Sequence, residues 1–362
     1  MNETIKWISL QKPVPLILFR TSDLRSKVLL LENTQIYLVF YSLIRTSDLR
    51  SKVLTLDNKN KKRLFCFVLF SLIRTFAGVM KIGLVLEGGA MRGLFTCGIM
   101  DVMMENSLCP DGIIGVSAGA AFGCNYKSHQ PGRAIRYNKR FARDPRYSGL
   151  RSLLTSGDYF NAEFAYHIVP TQYDLFDDAS FESSPMEFFV VCTDVETGLP
   201  VYQRLDRSDA EAYDWIRASA SMPLASKVVR LAGRKLLDGG VSDSIPLQQF
   251  ERMGYRHNIV ILTQPLGYQK QHNPLMPLMR IGLRKYPRMI EAMDNRHLMY
   301  NAQLEYVAEA EHAGRCLVIR PDEKLPIGHV CHDPDLMQRI YDLGREMGER
   351  CLSDIRQFMA QP

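Results

Sequence analysis

The residues best spaced for chemistry are Gly115-Val116-Ser117-Ala118-Gly119. They end the apolar run GIIGVS (Gly112–Ser117) and open the small-residue stretch AGAAFGCNY, so a buried strand is expected to pass directly into a helix. A serine at the centre of G-x-S-x-G sits on a sharp strand-to-helix turn that lifts its hydroxyl above the sheet. The flanking glycines avoid Cβ clashes that so tight a turn would force. The helix that follows aims its first N–H groups at the place where an oxyanion forms. Alone the pattern is weak: with glycine near ~7% of residues, about one chain in ten of this length carries it by chance. It is then a packing turn of small residues.

A second loop, EGGAMRG (Glu87–Gly93), also lies between a strand-like run, KIGLVLE, and a helix-like segment from about Arg92 to Asn106. Adjacent glycines before a helix can cradle a phosphate. However, Gly88, Gly89 and Gly93 miss the G-x-G-x-x-G spacing, and no Walker lysine follows, which argues against a nucleotide-binding protein. The loop suits backbone N–H groups converging on a reacting oxygen, with Arg92 adding positive charge. The alternative is a helix-capping turn.

A serine nucleophile needs a base. His297 falls on an apolar helical stripe, and His329 and His332 in GHVCHD lack an H-E-x-x-H pattern or a partner cluster for a metal. Asp238 in LLDGG is better placed, at a strand end where Gly239 and Gly240 let another loop approach. For that tripeptide alone, an Asx turn closing a hairpin is the better account.

Taken together, a glycine loop, a G-x-S-x-G elbow and Asp-Gly-Gly, in this order and each at a strand end, resemble the patatin-like phospholipase family. The resemblance runs from Lys81 to about Thr263 and includes RASASMPLAS (Arg217–Ser226), similar to the family's Ala-Ser-x-Ala-x-Pro segment. It implies a three-layer α/β/α core and a serine acyl hydrolase that cleaves lipid carboxylic esters with a Ser–Asp dyad and no histidine. Ser117 would be the nucleophile, Asp238 the base, and the loop Gly88, Gly89, Ala90, Met91, Arg92 and Gly93 the oxyanion hole. No metal or organic cofactor is implied; the partner is a lipid ester, met in peripheral contact with a membrane. The sequence departs from the family at Ala90, where a third glycine is usual, and alanine fits there if its φ stays negative. Ser242-Asp243-Ser244 stands where an asparagine-containing continuation is usual. A module of the same fold that binds lipid or protein without turnover is the alternative, and the complete Ser117/Asp238 pair argues against it.

The elements that must position these residues follow from periodicity. Strand-like runs at Lys81–Glu87, Gly112–Ser117, Glu187–Val195, PVYQRL from Pro200, Arg234–Asp238, Asn258–Gln264 and Cys316–Arg320 alternate with helical segments. That alternation implies a mainly parallel sheet with helices on both faces. Residues 80–266 are expected to form the catalytic domain and residues 267–362 a mostly helical region. In the latter, Ile290, Met293, His297, Tyr300, Leu304 and Val307 mark one helix face. A closing helix is capped by Asp333 and Pro334, with a stripe through Leu336, Ile340, Leu343, Met347, Cys351 and Ile355.

The chain has 362 residues and a net charge of +6, but the charge is uneven. Residues 1–79 hold 13 Lys+Arg against 5 Asp+Glu, leaving 32 against 34 for the remainder, so no nucleic-acid partner is indicated for the body of the protein. Those first residues copy themselves: FRTSDLRSKVLLLEN (Phe19–Asn33) returns as IRTSDLRSKVLTLDN (Ile44–Asn58). Two copies are too few for a solenoid, and surface and core letters are copied alike. The expectation is translated repetitive DNA before a true start at Met80, disordered or not native. Eight single cysteines without a C-x-x-C pair read as reduced thiols of a cytoplasmic protein. No apolar run reaches the roughly 18–20 residues of a membrane span, and LFCFVLFSLI lies too far into the chain for an export signal.

Overall fold

Short aliphatic runs ended by glycine make the strands of this protein, and periods of three and four make the helices between them. The computed structural model describes residues 17–21, 24–29 and 81–361. The chain divides into two units, residues 1–79 and 80–362. In the first, β1 (Ile17–Thr21) pairs antiparallel with β2 (Leu24–Leu29), with Ile17 opposite Leu29. The rest of the copied repeat, and with it the expectation placed on residues 1–79, lies outside the described residues.

In the second unit β3 (Ile82–Leu86) leads to α1 (Gly93–Glu105), and β4 (Gly112–Val116) to α2 (Ala118–Lys127). Then come α3 (Arg133–Phe141), α4 (Leu150–Ser156), a π-helical segment (Phe164–Tyr173) and α5 (Asp178–Ser183). They are followed by β5 (Glu187–Asp194), β6 (Pro200–Arg204), α6 (Ala210–Ser219), β7 (Val229–Leu231), β8 (Arg234–Asp238), α7 (Leu247–Arg252) and β9 (His257–Ile261). The chain closes with α8 (Met276–Gly282), α9 (Pro287–His312), β10 (Cys316–Ile319), α10 (Pro334–Arg350) and α11 (Leu352–Met359). All seven expected strands are present. The additional β7 is three residues long and turns into β8 through Ala232 and Gly233, both at positive φ.

The strands form one sheet in the order β10-β9-β3-β4-β5-β8-β7, with β6 paired to β5. From β10 to β5 the pairs are parallel, whereas β6, β7 and β8 run antiparallel to their neighbours. Alternation along each strand sends successive side chains to opposite faces. Leu84 and Leu86 join Ile113, Phe188 and Ile259 under α1, α2 and α6, while Val85, Ile114 and Val260 meet α7 and α9 on the other face. This is a three-layer α/β/α core. Each fully buried aliphatic side chain contributes about 1.5–3 kcal/mol, so the two faces carry most of the stability.

The closing helix packs on α1 rather than on the sheet, and glycine sets the distance. A Cβ at Gly344 would lie 2.0 Å from the carbonyl oxygen of Phe95, and one at Gly98 would lie 2.2 Å from that of Tyr341. Asp333 caps this helix as expected, accepting from the N–H of Asp335 at 3.0 Å. The expected single stripe is interrupted, because the chain turns at Cys351 and continues as the separate helix α11. Among the described residues no helix is long and apolar enough to cross a membrane.

Candidate active site

Ser117 follows the last residue of β4 and precedes the first of α2, with φ +54 and ψ −119. A non-glycine residue there is strained by about 1–3 kcal/mol, and such strain persists only where the surroundings fix it. Here the Ser117 N–H donates to Ser219 Oγ (2.9 Å), which itself donates to the carbonyl of Val191 (2.6 Å). The carbonyl of Ser117 accepts from Ala120 and Ala121, starting the helix. Gly115 and Gly119 close the elbow from either side of Val116 and Ala118, and a Cβ at 115 would lie 2.5 Å from Gly119 O.

Strand order brings Asp238 to this serine. Val116 pairs with Val191 on one side of β5, and Asp238 pairs with Cys192 on the other. Serine and carboxylate therefore stand at one level of the sheet, two strand spacings or about 10 Å apart along the backbone. Their side chains close the gap: Ser117 Oγ donates to Asp238 Oδ2 at 2.6 Å, while Oδ1 accepts from the N–H of Gly240 at 2.8 Å. Asp238 is buried, and burial raises its pKa above the ordinary carboxylate value. The Arg296 cation, the Ser117 and Gly240 donors and Lys270 oppose that rise. Gly239 lets the turn pass under β5.

The glycine loop lies across the nucleophile. A Cβ at Gly88 would stand 2.9 Å from Ser117 Cβ, so only glycine lets the backbone come so close. Ala90–Arg92 forms a turn of 3₁₀ helix, spending the N–H of Arg92 on Gly89 O and that of Gly93 on Ala90 O. Among the described residues the N–H groups of Gly88, Gly89 and Ala90 have no backbone acceptor. Met91 is buried, and Gly93 packs against Ala118 at the start of α1. One expectation fails here: Ala90 adopts φ +49, not a negative value. The loop reverses sharply into its 3₁₀ turn, and the alanine bears the left-handed conformation that a glycine would take freely.

Sequence reasoning found the helix that holds these loops, Tyr300 included, but only as an apolar stripe, and missed its polar contacts. Arg296, Tyr300 and Gln303 occupy positions i, i+4 and i+7 of α9 and so share one face. Arg296 Nε donates to Gly240 O (2.5 Å), and Tyr300 donates to Glu87 Oε1 (2.6 Å). Gln303 receives the N–H groups of Ser244 and Ile245 and donates to Asp243 (2.6 Å). Glu87, fully buried, also accepts from the N–H and hydroxyl of Thr263, and burial raises its pKa against these donors and Arg92. The signal was available as polar residues at helical spacing beside the apolar stripe.

Two recesses meet at Ser117. One is apolar, lined by Met91, Phe122, Tyr166, Val169, Phe176 and Ile216. The other is a cleft of mixed lining, where Asp238, Arg92, Lys270, Arg296, His329 and the glycine loop face apolar side chains such as Met222, Leu275, Met279 and Met293. His297 also lines that cleft, while His332 lies elsewhere, bonded to Ala142 O and the Tyr159 hydroxyl. Among the described residues no three His, Cys, Asp or Glu side chains are grouped to hold a metal ion.

A family model described as patatin-like phospholipase matches residues 84–251, the span that carries the elbow, the glycine loop and Asp238. This part of the chain is a patatin-like phospholipase domain. Residues 286–360 match a domain of unknown function (DUF6363), which within this family member contains the α9 face just described. The chain is 26% identical to the uncharacterized protein YjjU of Escherichia coli over 296 residues, 78% of this chain and 80% of that one. It is 28% identical over 186 residues to lysophospholipase nte1 of Aspergillus fumigatus, 48% of this chain but 11% of that one. A patatin-like phospholipase domain-containing protein of Caenorhabditis elegans, ZK370.4, is 28% identical over 48% of this chain and 13% of its own length. The chain thus spans most of the bacterial relative and only a small part of the fungal and nematode ones. Among solved structures, VipD from Legionella pneumophila aligns over 76% of this chain and 67% of its own, with 12% identity and a TM-score of 0.39.

Proposed function

We propose that the protein is a serine acyl hydrolase that cleaves lipid carboxylic esters with Ser117 as nucleophile and Asp238 as base. The observation that carries this reading is the 2.6 Å hydrogen bond from Ser117 Oγ to a buried carboxylate. A hydroxyl held there passes its proton to Asp238 Oδ2 as Oγ attacks the ester carbonyl. The acyl chain occupies the apolar recess, and the tetrahedral oxyanion meets the uncommitted N–H groups of Gly88, Gly89 and Ala90. Removing one such donor typically costs a factor of about 10²–10³. Asp238 then returns the proton to the departing alkoxide, and water, deprotonated by the same carboxylate, releases the acyl group from Ser117. Family membership and the names of the matched phospholipases support lipid esters as the substrate class.

The test is a fluorophosphonate probe followed by peptide mapping, run beside hydrolysis of p-nitrophenyl esters of graded chain length. Covalent labelling at Ser117, with turnover lost in Ser117→Ala, is the expected result. An unlabelled Ser117 in folded protein, with no ester cleaved, would sink the proposal and leave a binding module of the same fold.

A further inference from the structure

The carboxylate that the ester reaction needs as a base has a cation beside it that comes from another part of the chain. Arg296 lies on α9, within the residues 286–360 matched to a domain of unknown function and outside the phospholipase span 84–251. Its Nε donates to the carbonyl of Gly240 at 2.5 Å, in the turn that Asp238 begins. A Cβ at Gly240 would stand 3.0 Å from Arg296 Nη2 and 3.0 Å from Asp238 Oδ1. At most twice that distance therefore separates cation and carboxylate, and glycine leaves no side chain between them. Oδ1 is the oxygen that faces Gly240, which leaves Oδ2 to Ser117 Oγ. Among the described residues Arg296 enters no ion pair within 4.0 Å, and the acid nearest it on α9, Asp294, is taken by Arg280 (3.0 Å) and His272 (2.7 Å).

The other titratable groups around Asp238 leave Arg296 as its main charged neighbour. Cys192 of β5 and Tyr166 of the π-helical segment are neutral, because burial holds both well above their ordinary values. Glu87 of the glycine loop is committed to Tyr300 and Thr263, and Asp243, further along the Asp-Gly-Gly turn, to Tyr202 and Gln303. Burial, then Arg296 and Arg92, push Lys270 down to about 8, so its charge fades above that pH. His329 is lowered by burial and by the same three cations, and His297 bonds to the Asp294 carbonyl. A guanidinium stays protonated at every working pH. Of the two that line the cleft, Arg92 and Arg296, it is Arg296 that most opposes the effect of burial on Asp238.

We propose that Arg296 is a positioning residue of the Ser–Asp dyad, supplied by the C-terminal region: it fixes the Asp-Gly-Gly turn through Gly240 O and sets a permanent positive charge beside the carboxylate that accepts the Ser117 proton. This rests on the ester-hydrolase reading and adds a working part from outside the matched phospholipase span, which gives residues 286–360 a role in the site. A buried carboxylate without a cation keeps its proton to higher pH, and in that form it cannot act as a base. Removing the cation should therefore raise the pH below which turnover fails.

The experiment follows kcat/KM from pH 5 to pH 9 in the full chain, using the p-nitrophenyl ester that is turned over fastest and measuring its released acid by chromatography. The ester is neutral, so the titrating groups are the enzyme's own. Arg296→Met removes charge and hydrogen bond together, and the acid limb should move up by about one pH unit or more, since an opposite charge within ~4–6 Å shifts a carboxylate by about 1–3. Arg296→Lys keeps the charge without the guanidinium fork. Its acid limb should stay where the native protein has it, while the plateau falls about tenfold because the turn is held less firmly. Arg296→Gln is run beside Arg296→Met, with calorimetry to show that an uncharged variant is folded. An acid limb that stays in place in a folded uncharged variant, or that moves by a full unit in Arg296→Lys, would overturn the role of Arg296, while turnover by the native protein keeps the hydrolase reading intact. A native protein that cleaves no ester and leaves Ser117 unlabelled by the fluorophosphonate would overturn both.

Discussion

Replacing Asp238 by asparagine should have two effects of opposite sign, and together they separate a catalytic carboxylate from a structural one. Asparagine keeps the shape: its carbonyl oxygen can accept from Gly240 N–H, and its NH₂ then faces Ser117 Oγ, which can accept. It cannot take a proton. General-base catalysis is worth about 10²–10⁴, and a dyad acts as a unit, so ester turnover should fall by about 10³ or more, roughly 4 kcal/mol of barrier. Stability should move the other way. Burial raises the folded-state pKa of Asp238 above its unfolded value, so folding binds a proton in the window between the two. The carboxylate costs least below the unfolded value, and stability is lost as pH rises through the folded one. At neutral pH the charge is therefore a net cost that asparagine removes. Relief of such functional sites commonly gives about 0.5–2 kcal/mol, or about 1–8 °C in Tm at this size. Calorimetry at pH 5 and pH 8 should show the variant's advantage growing with pH, while kcat/KM of the native protein falls on acidification. Near-native turnover in Asp238→Asn would refute the dyad. A lower Tm at both pH values would refute the electrostatic argument and make Asp238 a hydrogen-bond hub.

Ser117→Ala combined with Asp238→Asn should be little slower than either single variant, as measured by ester hydrolysis, because the two act as one unit. Ala90→Gly should raise Tm or leave it level, since relief of about 1–2 kcal/mol of left-handed strain outweighs the roughly 0.5–1 kcal/mol entropy cost of glycine; turnover should stay within about twofold. Gly344→Ala should lower Tm by about 2–12 °C in calorimetry, because the methyl would enter the Phe95 carbonyl and α10 must lift from α1 at an overpacking cost of about 1–3 kcal/mol. A chain beginning at Met80 should match the full chain in Tm and in ester turnover. A fall of roughly 8 °C or more would show that residues 1–79 contribute to the stability of the rest.

What the sequence made legible was what depends on local spacing. Five-residue apolar runs gave the strands, and G-x-S-x-G at a strand–helix junction gave the elbow, because both are written within a few residues. Asp238 was legible only in company: by itself it reads as an Asx turn, and its meaning comes from Cys192, which pairs with it one strand away from Ser117. Two features stayed hidden for the same reason. The apolar recess is assembled from α2, α3, the π-helical segment and α6, none of which shows a cavity in its own periodicity. The positive φ of Ala90 was also beyond reach, since alanine carries no preference for that region and is forced there by the loop around it.

The α9 helix shows how an apolar stripe, correctly read, can leave the polar contacts beside it unnoticed. Its apolar stripe explains packing and includes His297, which among the described residues bonds to the Asp294 carbonyl alone. Tyr300 of that stripe reaches Glu87 in the loop after β3, while Arg296 and Gln303 beside it reach Gly240 and Asp243 in the loop after β8. Two loops arriving from separate strands need a common rigid support if Oγ, carboxylate and N–H groups are to stay within hydrogen-bonding distance, since errors near 1 Å cost about 10²-fold in rate. The 26-residue helix α9, packed by Tyr300 and Val307 on one face of the sheet, supplies that support through its side chains. The same helix brings Arg296 into the cleft beside Asp238, so the element that holds the proposed dyad also charges the surface its leaving group would meet.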